Sequence, residues 1–209
     1  MRRMTVALAT WGLVAGFCLL TTPSQAQNLL TNPGFTTDLT GWDMYNPGHG
    51  ILLWSTMDAG GSPGSGSASI GNTSTGIESF GLSQCVPVVE FERYRFGTRY
   101  YVTSGQNAPG DAWVAIGWWE GPGCTGNNPE GAGAPAVDEF DTWDLSVNPD
   151  VEALANAQSA QVLLLVRKYQ PSGLRSAFAD NAFFEPIHPI FEDGFEMGDT
   201  SRWSATVQK

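Results

Sequence analysis

Trp113 and Trp119 stand six residues apart, and between them Ala115 and Gly117 occupy every second position. On a β-strand, positions two apart line the same face. Two indoles would therefore flank a floor of small residues and leave a shallow groove with flat walls. Flat aromatic walls stack on the apolar faces of pyranose rings while neighbouring polar groups read the hydroxyls. A second alternating set, Arg95, Gly97, Arg99 and Tyr101, adds another ring over a glycine floor. Its two guanidinium groups can donate paired hydrogen bonds to hydroxyls or to a carboxylate. The same residues also have plainer uses. An aromatic pair can pack under a loop or against a second sheet, and exposed arginines can bond to the chain's own carboxylates.

Catalytic chemistry has less to build on. The sequence contains no Gly-x-Ser-x-Gly elbow, no His-Glu-x-x-His pair and no phosphate loop, and neither His49 nor His188 sits beside a nucleophile. Carboxylates are plentiful: Glu90 and Glu92 form one group, Asp138, Glu139, Asp141 and Asp144 another. They leave one enzyme class open, a glycan-active hydrolase working through two carboxylates, although their spacing alone does not select it.

The chain start reads as a cleavable secretory signal over residues 1–26. Arg2 and Arg3 precede an apolar run from Val6 to Leu20, and Ser24-Gln25-Ala26 offers small residues at the cleavage positions. That run is shorter than the roughly 20 residues a spanning helix needs, so no membrane anchor is expected. Removing it leaves 209 − 26 = 183 residues with 10 − 2 = 8 basic and 21 acidic side chains, a net charge of 8 − 21 = −13. Such a surplus argues against nucleic acid or an anionic membrane as partner. Cys18 leaves with the signal, so Cys85 and Cys124 remain as an even pair in a secreted or periplasmic protein. Oxidation to a disulfide is expected on redox grounds; a metal site built on the two cysteines would want partnering histidines, and His49 and His188 are the only two in the chain.

The elements that would position these groups are strands. Glycine and proline clusters punctuate short β-branched and aromatic runs, the signature of a β-sandwich or barrel. Strands are expected near 28–35, 42–46, 50–58, 67–71, 76–87, 93–103, 112–120, 141–146, 161–169 and 176–184. Gly131-Ala132-Gly133-Ala134-Pro135 reads as a loop. Residues 150–157, with Asp150 as cap, offer the one short helix. Val114, Ile116 and Trp118, and likewise Tyr94, Phe96, Tyr100 and Val102, share the core-facing sides of their strands.

Asn28-Leu29-Leu30-Thr31-Asn32-Pro33-Gly34-Phe35, followed by Leu39-Thr40-Gly41-Trp42, resembles the opening of the galactose-binding-like jelly-roll modules common among bacterial carbohydrate-binding modules. Phe178-Ala179-Asp180-Asn181-Ala182-Phe183-Phe184 resembles their closing strand. The resemblance implies an all-β jelly-roll sandwich that binds a carbohydrate or polysaccharide; the strand alternation above supplies Trp113, Trp119, Tyr101, Arg95 and Arg99 as the residues expected to carry that binding along one sheet face. It also implies a structural calcium, with Asp180 as first ligand and Asn32 and Thr36 contributing oxygens. Thr36 stands where the family pattern has an acidic residue, and a hydrogen-bonding role is the alternative for Asp180.

Residues 27–187 are thus expected to form the sandwich domain, and 188–209 a linker and acidic C-terminal tail. Ile190-Phe191-Glu192-Asp193-Gly194-Phe195 through Trp203 resembles a segment recurrent on exported proteobacterial proteins. An export tag, a strand added to a protein partner's sheet, the start of a second module and a loose end are all open for it. The function expected is that of a non-catalytic glycan-binding module. The alternative is a structural or adhesive surface protein that binds another protein.

Overall fold

The computed structural model describes residues 27–61 and 65–187. The expected signal at 1–26 and tail at 188–209 lie outside the described residues.

Ten strands follow one another: β1 (Asp43–Tyr45), β2 (Gly50–Ser55), β3 (Ser67–Asn72), β4 (Ser79–Pro87), β5 (Arg93–Tyr101), β6 (Gly110–Trp119), β7 (Gly131–Gly133), β8 (Trp143–Glu152), β9 (Ser159–Lys168) and β10 (Arg175–Pro186). They form two five-stranded sheets, ordered β1-β4-β9-β6-β7 and β2-β3-β10-β5-β8. We call these sheet A and sheet B. All pairings are antiparallel, and no helix occurs among the described residues. The molecule is a jelly-roll β-sandwich.

Alternation along the strands builds the core. Val114, Ile116 and Trp118 of β6, with Val162, Leu164 and Val166 of β9, turn inward from sheet A. Tyr94, Phe96 and Tyr100 of β5 and Phe184 of β10 meet them from sheet B. Tyr94 and Phe184 stack with ring centroids 4.9 Å apart, and Trp118 meets Phe184 edge-on at 6.4 Å. Full burial of one large apolar side chain stabilises by about 1.5–3 kcal/mol, so this aromatic seam is a principal source of cohesion.

Three expectations need correction. Asn28–Phe35 is not a strand. It lies beside β10, where the Leu29 N–H donates to the Phe184 carbonyl at 2.9 Å, but Pro33 interrupts it, and Asn32 and Phe35 take positive φ values of 49° and 45°. Gly131–Gly133, read as a loop, is edge strand β7 on β6. Gly131 is required there, because a Cβ on it would collide with the Ile116 carbonyl. The helix at 150–157 is absent, since Asp150 belongs to β8 and bonds through its carboxylate to Arg93 of the neighbouring β5.

Cys85 of β4 and Cys124 are bonded, with Cα atoms 5.9 Å apart and a sequence separation of 39. The bridge ties the turn after β6 across β9 to β4. Ser159 supports that turn by accepting the Cys124 N–H at 2.9 Å and donating to the Gly121 carbonyl at 2.6 Å. A loop of that length stabilises the fold by about 4 kcal/mol through the entropy of the unfolded chain. Replacing both cysteines by serine should therefore shift the urea midpoint downward by an amount equivalent to about 4 kcal/mol. A loss under about 1 kcal/mol in equilibrium unfolding would contradict the assignment.

Candidate functional site

The residues singled out from sequence divide between two faces. Trp113 and Trp119 point outward from β6, in sheet A. Arg95, Arg99 and Tyr101 point outward from β5, in sheet B. The core lies between the two sets, so the expectation of one face holding all five is corrected. Alternation gives inside against outside on each strand, but not which sheet a strand joins.

On sheet A, register places residues in rows that cross the strands. Tyr45, Gly81, Leu165 and Trp113 pair in sequence across β1, β4, β9 and β6. The adjacent row runs Asp43, Ser83, Leu163, Ala115 and Gly133. Between Tyr45 and Trp113 lie Gly81, which has no side chain, and Leu165, which is buried. Tyr45 and Trp113 are three strand spacings apart, about 14 Å.

Trp113 is half-buried. The Arg167 guanidinium lies over its ring at 4.7 Å and within 5.2 Å of the Tyr169 ring. Asp111 fixes that cation: Arg167 Nε donates to Oδ1 at 3.1 Å and Nη2 to Oδ2 at 2.5 Å, while the Tyr169 hydroxyl also donates to Oδ2. This pairing holds the guanidinium above its ordinary pKa, and the bond to Asp111 raises that of the Tyr169 hydroxyl. Both groups therefore remain donors at neutral pH. On another side of the indole, Gly133 contributes no side chain; a Cβ there would sit 3.9 Å from Cδ1. The groove floor expected at Gly117 is partly occupied, since a Cβ there would meet Asn128 Nδ2 at 3.0 Å. The Trp119 ring is half-buried like that of Trp113, and its indole nitrogen is buried without a hydrogen-bond partner among the described residues.

Arg167, Asp111 and Tyr169 escaped the sequence reading. Their signal was the strand alternation that sets Arg167 on the same face as Leu163 and Leu165. Pairing Arg167 with Asp111 required the register between β6 and β9.

On sheet B, Arg95 bonds to Glu185 at 2.8 Å through Nε and 2.6 Å through Nη2, and lies over the Phe183 ring at 5.8 Å. Phe183 in turn covers Gly97, where a Cβ would stand 2.6 Å from its Cζ. The plainer of the two roles expected for Arg95 is thus the observed one, and the open glycine floor expected beside it is filled. Arg99 is exposed, and Tyr101 packs against Trp143 and Phe178.

Asp180 and Asn32, two of the three residues expected at a calcium, form hydrogen bonds within the chain. Asp180 is buried, and its carboxylate accepts N–H groups from Ala59 at 2.9 Å and Asn181 at 2.6 Å. Asn32 Oδ1 accepts the Thr36 N–H at 3.2 Å, and Asn32 Nδ2 donates to the Asp38 and Thr40 carbonyls. Among the described residues, no three His, Cys, Asp or Glu side chains gather as a metal site would need. Asp180 thus has the hydrogen-bonding role that was the alternative to ligating calcium.

No protein-family model matches the chain, and no curated protein matches it in sequence. Solved structures share its fold. The xylan-binding domain CBM22-1 from Paenibacillus barcinonensis Xyn10C superposes with a TM-score of 0.55 at 15% identity, over 78% of this chain and 97% of that one. The C-terminal family 22 carbohydrate-binding module of Clostridium thermocellum Xyn10B gives 0.53 at 14%, over 76% and 94%. The enzymatically active domain of bacteriophage CBA120 tailspike protein 4 gives 0.60 at 12% over 77% of this chain, which spans only 21% of that much longer one. What the chain shares with these structures is the jelly-roll fold, the fold expected from the opening and closing segments.

Burial raises the Asp180 carboxyl above its ordinary value of 3.8, against the opposing bonds from Ala59 and Asn181. A raised folded-state value means that the folded chain holds this proton more tightly than the unfolded chain. The contribution is full below the unfolded value and is lost as pH rises through the folded one. The unfolding free energy of the parent relative to Asp180→Asn should therefore decline as pH rises upward from 3.8. A pH-independent difference in denaturant titrations would refute this.

Proposed function

We propose that this chain is an exported, non-catalytic module that binds a polysaccharide on the outer face of sheet A. The observation that carries the reading is the row from Tyr45 to Trp113, two aromatic side chains separated by Gly81 and the buried Leu165. A sugar chain laid across the strands would stack on the two rings. Arg167, fixed by Asp111 and Tyr169 beside Trp113, is pre-oriented as a donor to hydroxyls, so little side-chain freedom is lost on binding. Gln161 on β9 pairs with Gly117 and Cys85 two rows from Trp113 on the same face and adds a carboxamide to it.

Support for a binding role comes from the solved structures that the sandwich matches over nearly their whole length, which are binding domains by name. Support for export comes from the secretory signal read at 1–26 and from the two cysteines, bonded as an oxidising compartment would leave them. The protein would act in the periplasm or outside the cell.

Trp113→Ala tests the reading. Loss of one stacked ring should weaken binding about tenfold or more, on the order of 1.5 kcal/mol. A panel of neutral plant and bacterial polysaccharides, titrated against the folded protein by calorimetry and tryptophan emission, supplies the ligand. Undiminished affinity in a folded Trp113→Ala variant would place the site elsewhere.

A further inference from the structure

The outer face of sheet B carries a row of its own. Leu53, Ser69, Phe178, Tyr101 and Trp143 pair in sequence across β2, β3, β10, β5 and β8. Tyr101 stands near its centre, with the Trp143 ring 5.6 Å away on one side and the Phe178 ring 6.3 Å away on the other, both inclined to it. A phenol braced in this way is already ordered, which lowers the cost of stacking a ligand on it. At the margin Leu53 is 61% exposed.

Arg99 lies two positions from Tyr101 on the same side of β5, about 6.7 Å along the strand. The charge arrangement around it is unusual for this chain. Arg93 pairs with Asp150, Arg95 with Glu185 and Arg167 with Asp111. Arg175 has no ion pair among the described residues, but it is buried; Arg99 is exposed, and its guanidinium forms no hydrogen bond or ion pair among the described residues, in a protein with 21 acidic and 10 basic side chains. Asp180 is its cross-strand partner on β10 and feels its charge, but the two form no salt bridge, and the Asp180 oxygens bond instead to the Ala59 and Asn181 N–H groups. The guanidinium fork is left for a carboxylate from outside, and bidentate pairing with a carboxylate is the bond it makes best.

We propose that this face is a second glycan platform, on the opposite side of the sandwich from Trp113, and that it takes a uronic-acid-bearing polysaccharide. Arg99 pairs with the ligand carboxylate and Tyr101 stacks on the sugar ring. The proposal rests on the carbohydrate-binding reading of the protein but not on the sheet A site. It makes the module two-sided, with one face for each of two chains or for two chemistries.

The test uses the folded protein and two acidic probes, oligogalacturonate and oligoguluronate, each beside its carboxyl-reduced neutral counterpart, by calorimetry at low and high salt. Binding of at least one acidic probe is expected. It should fall about tenfold or more on carboxyl reduction and in Arg99→Gln, fall similarly in Tyr101→Ala, weaken with salt, and persist in Trp113→Ala. The exposed position of Arg99 makes Arg99→Gln a variant that should fold, which circular dichroism checks. No binding of either acidic probe, equal binding of the neutral counterparts, or affinity unchanged in Arg99→Gln would overturn the proposal. Loss in Trp113→Ala with retention in Arg99→Gln would also overturn it and would assign the acidic ligand to sheet A. Failure with acidic probes while neutral glycans still depend on Trp113 would leave the sheet A function standing.

Discussion

Tyr100 joins the two faces of the molecule. Its side chain crosses the core from β5, and its hydroxyl donates to the Trp113 carbonyl at 2.9 Å and accepts the Leu165 N–H at 3.0 Å. The phenol is fully buried, and burial drives its pKa far above the ordinary value, so it stays a neutral donor throughout the physiological range. It reaches β6 and β9 at the pair of residues that also sit in the aromatic row of sheet A. Its chain neighbours, Arg99 and Tyr101, project from the other side of sheet B. One buried side chain thus sets the backbone beneath Trp113 and is flanked in sequence by the two residues central to the opposite face. A buried hydroxyl with no partner would cost about 1–3 kcal/mol, which makes the position of Trp113 and the packing of Tyr100 a single constraint.

Charge is handled in the same economical manner at the rim. Lys168 is buried, and its ammonium donates to the Ser74 and Gly173 carbonyls, neutral oxygens that supply hydrogen bonds in place of water. Asp111 is also nearly enclosed, and Arg167 and Tyr169 satisfy its oxygens. Buried ionic groups persist where hydrogen bonds replace their hydration. At Asp111 the replacement also orients the guanidinium beside Trp113.

Much of the architecture was legible because a two-sheet sandwich writes its inside and outside into every second residue. Val114, Ile116, Trp118, Tyr94, Phe96 and Tyr100 could be assigned to the core by alternation alone, and the disulfide by counting the cysteines outside the segment 1–26 read as a signal. What failed had physical causes. Gly131–Gly133 carries no side-chain signature of a strand, and backbone pairing with β6 alone makes it one. Asp150 looks like a helix cap until Arg93 is placed beside it by the β5–β8 register. The candidate site was half legible: the rings and arginines could be picked out, but their partition between two faces depends on which strands pair, information held in long-range contacts. Trp143 lacked any local cue, because its role is to brace Tyr101 across a strand boundary.

The strand order has a consequence in time. β9 lies at the centre of sheet A and β10 at the centre of sheet B, yet both come from the last third of the described chain. The opening segment waits for them too, since Asn28 bonds to Ala182 and Phe184 at sequence separations of 154 and 156. A chain emerging N-terminus first from a ribosome or a translocation pore would have strand edges without central partners until β10 has appeared. Folds dominated by such distant contacts form slowly. Sheet A therefore cannot close around its central strand until β9 is available, nor sheet B until β10, the last strand in the chain order.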